Sequence, residues 1–288
     1  MVESTGFENR QARKGLESSN LSSSANKMNL SKQKQVFGSY AKDYQKYRRY
    51  YKPALYKILS AVSKKQFKNK ELSVLDVGCG TGKSTEPLLK ISRKTKIFGV
   101  DPDARMLKEA RLHAEQSHLP IKYTKGSAES LPFEKESFDV ITVGTAFHWF
   151  ATKKTLKEMQ RVLKKDGLIF VYWSMERKDN PPTIGRELYK KFVWKAVPQK
   201  LRDIKYIEKL FDDSGLSSVK TASILFESKY TVEEYVGGLK TSSMYAVMSE
   251  TQRKGFCEAM FKAFKKEVRG KYYRIKSEMM ICYGFKKS

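Results

Sequence analysis

Short apolar runs alternate with amphipathic stretches along most of this chain. The runs Ser73–Val77, Lys96–Asp101, Ile121–Thr124, Phe138–Gly144 and Leu168–Ser174 have the length and residue content of buried strands. Between them, Asp103–Ser117 and Thr152–Lys164 space their apolar residues at helical intervals, the second with Leu156, Met159, Val162 and Leu163. Pro53 opens an earlier helix carrying Leu55, Ile58, Leu59 and Val62. Strand and helix in alternation predict a parallel sheet covered on both faces. Two late strands, Val219–Phe226 and Met279–Phe285, bring the count to seven. The stretch between them, Thr231 to Arg274, has helical patterns around Val232–Leu239 and Thr251–Val268. It is too long for a hairpin loop and predicts a helical insertion over one end of the sheet. The expected fold is therefore α/β, with a doubly wound, mostly parallel seven-stranded sheet.

The sharpest local signal follows the first strand: Val74-Leu75-Asp76-Val77-Gly78-Cys79-Gly80-Thr81-Gly82. Three alternating glycines behind a strand let the main chain turn tightly and approach a ligand closely. A helix is expected from about Lys83, with Leu88, Leu89 and Ile91 on its apolar side. The spacing does not suit a dinucleotide, because a G-x-G-x-x-G match from Gly78 would need glycine where Lys83 stands. Asp76 at the strand end would repel a pyrophosphate and suits a positive group, such as the ammonium of an amino-acid tail.

In a doubly wound sheet the ligand lies at the carboxyl ends of the strands, near the point where strand order reverses. The second strand ends in Asp101-Pro102, with the acid about twenty residues beyond the glycine turn, where it can accept bonds from ribose hydroxyls. The third is followed by Gly126-Ser127-Ala128-Glu129, and the fourth ends in Gly144-Thr145-Ala146-Phe147-His148-Trp149-Phe150. Each acid alone reads equally well as a helix cap or a solvated charge. Their order, one polar element at each successive strand end, is what points to a site.

Composition changes this picture little. The chain has 288 residues, is 40% hydrophobic and 31% charged, and carries a formal net charge of +26. A surface this basic attracts nucleic acid, anionic lipid or an acidic small molecule. Yet the basic residues are mostly lysine, spread along the chain, and read equally as solvated faces. Cys79, Cys257 and Cys282 are too few for a disulfide framework and form no metal-ligand spacing with His113, His118 or His148, so no metal is expected. No apolar run has the length of a membrane span, and a reducing, cytoplasmic setting fits best. The Ser/Asn-rich start, residues 1–35, reads as a disordered tail without a signal core. Residues 36–70, rich in tyrosine and basic side chains, read either as packing against the main domain or as a helical lid over the ligand.

With these residues in order, the chain resembles the small-molecule branch of class I S-adenosylmethionine-dependent methyltransferases. Phe147-His148-Trp149-Phe150 is similar to the branch that includes trans-aconitate methyltransferases, and the likeness covers roughly Phe37 to Trp173. The resemblance implies a Rossmann-like methyltransferase domain over 71–288, with a helical insertion at 231–275 and a lid at 36–70. It implies that Asp76 and the Gly78, Cys79 and Gly80 backbone hold the methionine portion of S-adenosylmethionine, and that Asp101, with Pro102 beside it, binds the ribose. Ala128 would meet adenine through its backbone, Glu129 would lie at the adenine amino group, and Thr145 would line the sulfonium. Phe37, Ala41, Tyr44 and Arg48 follow the order of that branch's lid. Arg49 and Lys52 stand where relatives often have proline, which bears on the lid's geometry. Asn180-Pro181-Pro182 is similar to a motif of nucleic-acid amino-methyltransferases, but it follows the fifth strand and lacks the aromatic, Thr183 standing there.

A sulfonium methyl is already electrophilic, so holding the acceptor in line and excluding water supplies much of the catalysis. A carboxylate acceptor needs no base, whereas a hydroxyl or protonated amine does. His148 is the candidate base, against the plainer reading of packing beside Trp149. Tyr44, Arg48, Trp149, Arg177 and Tyr245 are the candidate acceptor contacts. The expectation is methyl transfer to a small acceptor, carboxylate-bearing in its sharpest form. The alternatives are an RNA or protein methyltransferase recruited through the basic surface, and a non-catalytic cofactor-binding scaffold. Nucleic acid is the less favoured partner, and the sequence does not fix the oligomeric state.

Overall fold

The structure, a computed structural model, describes residues 37–68, 70–92, 94–180, 187–188, 203–242, 245, 248–268 and 270–287. The expected N-terminal tail lies outside the described residues. One seven-stranded sheet organises the chain in the order β3-β2-β1-β4-β5-β7-β6. Its strands are β1 (Leu72–Val77), β2 (Thr95–Asp101), β3 (Ile121–Lys125), β4 (Phe138–Val143), β5 (Leu163–Glu176), β6 (Ser217–Tyr230) and β7 (Tyr273–Phe285). The first five run parallel, and β7 pairs antiparallel with both β5 and β6. The chain leaves β1 toward β2 and β3, then returns to β4 on the other side. The crevice between the carboxyl ends of β1 and β4 is thus the switch point where such folds bind ligands.

The central strands are buried on both faces, which is why they read as continuous apolar runs rather than alternating ones. Along β5, Ile169, Val171 and Trp173 face one core layer, while Leu168, Phe170 and Tyr172 face the other. The first layer is completed by α4 (Lys153–Val162) and α5 (Ile204–Asp213), which contribute Leu156, Met159, Val162, Ile207 and Phe211. The second is completed by α2 (Pro53–Phe67), through Leu55, Tyr56 and Leu59. The 13-residue α3 (Ala104–Gln116) starts at Asp103, whose side chain accepts the Arg105 N–H as an N-cap.

Between β6 and β7 lie α6 (Val232–Leu239) and α7 (Glu250–Glu267), each opened by a reciprocal capping box, Thr231–Glu234 and Ser249–Gln252. Their apolar sides form a separate cluster around Tyr235, Phe256, Met260 and Phe264. The short α1 (Ala41–Tyr47) packs on α6 and α3, preceded by a 3-10 turn at Phe37–Tyr40.

Several expected boundaries move. β6 and β7 run longer than their apolar cores, over Ser217–Tyr230 and Tyr273–Phe285, because they pair with each other along their length, so the insertion ends before Tyr273 rather than at 275. The helix expected from about Lys83 is instead a run of turns ending in a 3-10 helix, Glu86–Lys90. Ser84 and Thr85 turn their hydroxyls back onto Asp76, and Pro87 has no N–H to donate to a preceding turn. The helix expected to Lys164 stops at Val162, and β5 begins at Leu163 instead of Leu168. The polar Lys164-Lys165-Asp166-Gly167 stretch, which reads as a turn, is carried inside the strand as an irregularity with Asp166 at φ 58°.

Candidate active site

A cavity of about 940 Å³ opens at the carboxyl ends of β1, β2, β4 and β5 and continues beneath α1 and α6. The glycine turn forms its floor. Gly78 has φ +73°, and a side chain there would put its Cβ 2.6 Å from the Ala146 Cβ in the turn after β4. The two loops of the switch point therefore touch, and only a glycine lets them do so. The turn's amides are already engaged. Gly78 and Cys79 both donate to the Val100 carbonyl, at 2.8 and 3.1 Å, and Gly80 donates to Asp101 Oδ2 at 3.0 Å.

Asp101 lines the cavity at the end of β2. Its Oδ1 accepts the Asp103 N–H at 2.9 Å, so each oxygen holds one backbone donor and keeps a lone-pair direction to spare. Burial raises its carboxyl to about 6, against the lowering pull of the two backbone bonds. Pro102, Ala128, Glu129 and Thr145 line the same cavity, with Gly78, Cys79 and Gly80.

Asp76 is placed differently from the expectation. It is fully buried and is absent from the cavity wall. Its Oδ2 accepts from Ser84 Oγ at 2.6 Å and Thr85 Oγ1 at 2.7 Å, and its Oδ1 from Thr142 Oγ1 at 3.2 Å. The carboxylate thus ties the end of β1 to the loop after the glycines and to β4. Burial raises it to about 6, opposed by those three hydroxyls.

The acceptor candidates also divide. Tyr44, Arg48, His148 and Trp149 line the cavity, with the Arg48 guanidinium 5.6 Å from the Tyr44 ring centre. The buried His148 ring lies 5.0 Å from that of Trp149. Arg177 and Tyr245 do not line it. Arg177 pairs with Asp179 at 2.8 Å on the chain leaving β5. Tyr245 is buried in the helical cluster, edge-on to Tyr40 at 5.3 Å.

Within the expected lid, the segment 48–52 has no regular secondary structure and lines the cavity with all five residues, of which only Arg48 is a candidate contact from the sequence. Arg49 bonds Glu234 at 2.9 Å and lies 3.9 Å from the Tyr230 ring centre. Tyr50 donates to Glu86 at 2.6 Å, and Tyr51 meets Thr145. Lys52 donates to the Glu227 carbonyl at 3.3 Å. The segment is a strap fastened to several elements at once. Ser174, Glu176, Ser228 and Tyr235 complete the outer half of the cavity, and Tyr235 donates to Glu176 at 3.0 Å. These four polar side chains are scattered over three late elements, β5, β6 and α6, with no pattern that joins them.

A family profile described as "Methyltransferase domain" matches residues 75–171. An uncharacterized methyltransferase of Schizosaccharomyces pombe is 30% identical over 166 residues, which span 58% of this chain and 63% of that relative, under two thirds of its length. Demethylmenaquinone methyltransferase of Lactococcus lactis is 30% identical over 243 residues, 79% of this chain and 94% of that enzyme. The chain belongs to the class I S-adenosylmethionine-dependent methyltransferases. The phosphoethanolamine N-methyltransferase 2 of Haemonchus contortus, solved with phosphomonomethylethanolamine and S-adenosylhomocysteine, shares the fold. Its TM-score is 0.55 at 15% identity, over 90% of this chain and 59% of that one.

The site of this methyltransferase fits its cofactor. At Gly78 bare backbone surfaces the cavity, where any side chain would collide, and at Asp101 a buried carboxylate still has acceptor capacity for hydroxyls. Among the described residues, no helix is long and apolar enough to cross a membrane.

Proposed function

We propose that this methyltransferase acts on a small-molecule acceptor that sits in the outer half of the cavity. The observation that carries the reading is the strap. Residues 48–52 are tied to α6 through Arg49–Glu234 and to the far side through Tyr50–Glu86, so the strap walls one side of the acceptor space with side chains. The volume lies within the range of pockets that enclose a small ligand with most of its surface buried.

When bound, S-adenosylmethionine supplies a methyl group made electrophilic by its sulfonium. Asp101 accepts the ribose hydroxyls, Pro102 packs beside it, and Ala128 and Glu129 meet the adenine. The backbone of Gly78, Cys79 and Gly80 would shape the floor under the methionine portion, with Thr145 lining the sulfonium. Asp76 has a positioning role, holding the loop in place from behind.

Toward the acceptor, Arg48 is the cation that meets an anionic group, carboxylate in the sharpest form of this reading. Tyr44 and Trp149 supply aromatic walls that exclude water and orient a planar or apolar body. His148 takes a proton if the accepting group is a hydroxyl, and is a wall residue if it is a carboxylate. Titration calorimetry of the intact protein with S-adenosylmethionine tests the cofactor half. One saturating site per chain is expected, and an absence of binding contradicts it.

A further inference from the structure

We propose that Tyr51 is a positioning residue for methyl transfer, acting through Thr145. Its hydroxyl fixes the turn after β4 and holds the 48–52 strap against the cofactor half of the cavity. This role rests on the reading of the cavity as a methyl-transfer site.

The Tyr51 hydroxyl accepts the Thr145 backbone N–H at 3.0 Å and lies 2.7 Å from Thr145 Oγ1. Burial raises the Tyr51 phenol above its ordinary range, so it stays neutral, and its oxygen accepts from the amide while the two hydroxyls share one further hydrogen bond. The ring is held separately, edge-on to Tyr172 at 4.8 Å, within the normal range for such pairs. Hydroxyl and ring thus do different jobs, and a phenylalanine would retain the second alone.

The neighbouring residue bears the mark of this contact. A Cβ on Gly144 would lie 3.0 Å from the Tyr51 hydroxyl oxygen, so the approach is close enough to leave little room for a side chain at the end of β4. Thr145 and Tyr51 both line the cavity at the switch crevice. Without the phenolic oxygen the Thr145 amide loses its acceptor and the strap loses its central fastening, while Arg49 and Tyr50 still hold its flanks. The consequence falls on the ligand side of the turn rather than on the core.

The test uses the full chain, with Tyr51→Phe, Thr145→Val and the double variant, and follows release of labelled S-adenosylmethionine chased with unlabelled cofactor. Thermal melts of the same proteins run beside it. Loss of the bond that fixes the part-buried Thr145 amide at the cavity wall, where water can take the phenol's place, predicts release roughly tenfold faster in Tyr51→Phe, with a smaller effect in Thr145→Val. Because the action runs through Thr145, the double variant releases no faster than Tyr51→Phe alone. Melting temperatures stay close to that of the wild type. Unchanged release in Tyr51→Phe overturns the role, as do effects that multiply in the double variant or that follow a fall in melting temperature. A wild-type protein that does not bind the cofactor overturns the underlying reading, and this role with it. That failure is visible before any variant is made.

Discussion

The Gly80 amide donates to the Asp101 carboxylate at 3.0 Å, joining the turn after β1 to the end of β2 across two adjacent parallel strands. One carboxylate therefore both braces the glycine turn and faces the cavity. This double duty makes Asp101 the residue on which cofactor affinity should depend most directly. Asp101→Asn keeps the size, but its amide nitrogen can no longer accept one of the Gly80 and Asp103 N–H groups and the charge-assisted bonds proposed to ribose are lost. It should weaken S-adenosylmethionine about 10–100-fold in a calorimetric titration. The Asp101 carboxyl is raised to about 6 by burial, so the wild type should lose affinity as pH falls below about 6, approaching roughly tenfold per pH unit. The variant should lose most of that dependence. An unaltered pH profile would count against Asp101 as the ribose contact.

Asp76 should act on stability before it acts on binding. Asp76→Ala leaves the hydroxyls of Ser84, Thr85 and Thr142 without their shared acceptor in a fully buried place. The expected loss is about 3 kcal/mol, read as a melting temperature lowered by several degrees.

The same residue sets a pH signature. Its folded carboxyl is raised to about 6 from an ordinary 3.8, so between those values the fold holds a proton that the unfolded chain releases. Its contribution to stability therefore falls as pH rises from about 4 to 6 and is flat above that. Asp76→Asn should show a smaller difference between melts at pH 5 and pH 7 than the wild type. A variant with the full difference would place the titrating group elsewhere.

Gly78→Ala tests the contact between the two switch-point loops. The new Cβ meets Ala146 at 2.6 Å in a left-handed backbone conformation, so both strain and collision oppose it. Destabilisation of about 1–3 kcal/mol is expected, together with at least a tenfold loss of cofactor affinity as the β4 turn is pushed away. Wild-type affinity in this variant would mean that the turn does not form the cavity floor.

The strands and their order of polar ends were legible because central parallel strands bury both faces and the acids follow them at fixed places. Asp101, Ala128, Glu129 and Thr145 could be found that way, and all four stand on the cavity wall. Asp76 was legible as a special residue but not in its orientation, which depends on hydroxyls eight, nine and sixty-six residues away. Arg177 and Tyr245 stand off the cavity wall, and a lone cation or phenol carries no sign in the sequence of the partner it will take, here Asp179 and the aromatic cluster. Of the strap, legible as part of a lid with Arg48 in it, the fastenings could not be read. Arg49 to Lys52 make no periodic pattern, and their partners lie 36 to 185 residues distant.

The central claim is methyl transfer to a small molecule, and one measurement meets it directly. The intact protein is incubated with methyl-labelled S-adenosylmethionine and a cell extract, and the products are separated into small-molecule, protein and RNA fractions. Label should accumulate in the small-molecule fraction and fall away with Asp101→Asn. Label confined to protein or RNA, or none above the extract alone, would contradict the account.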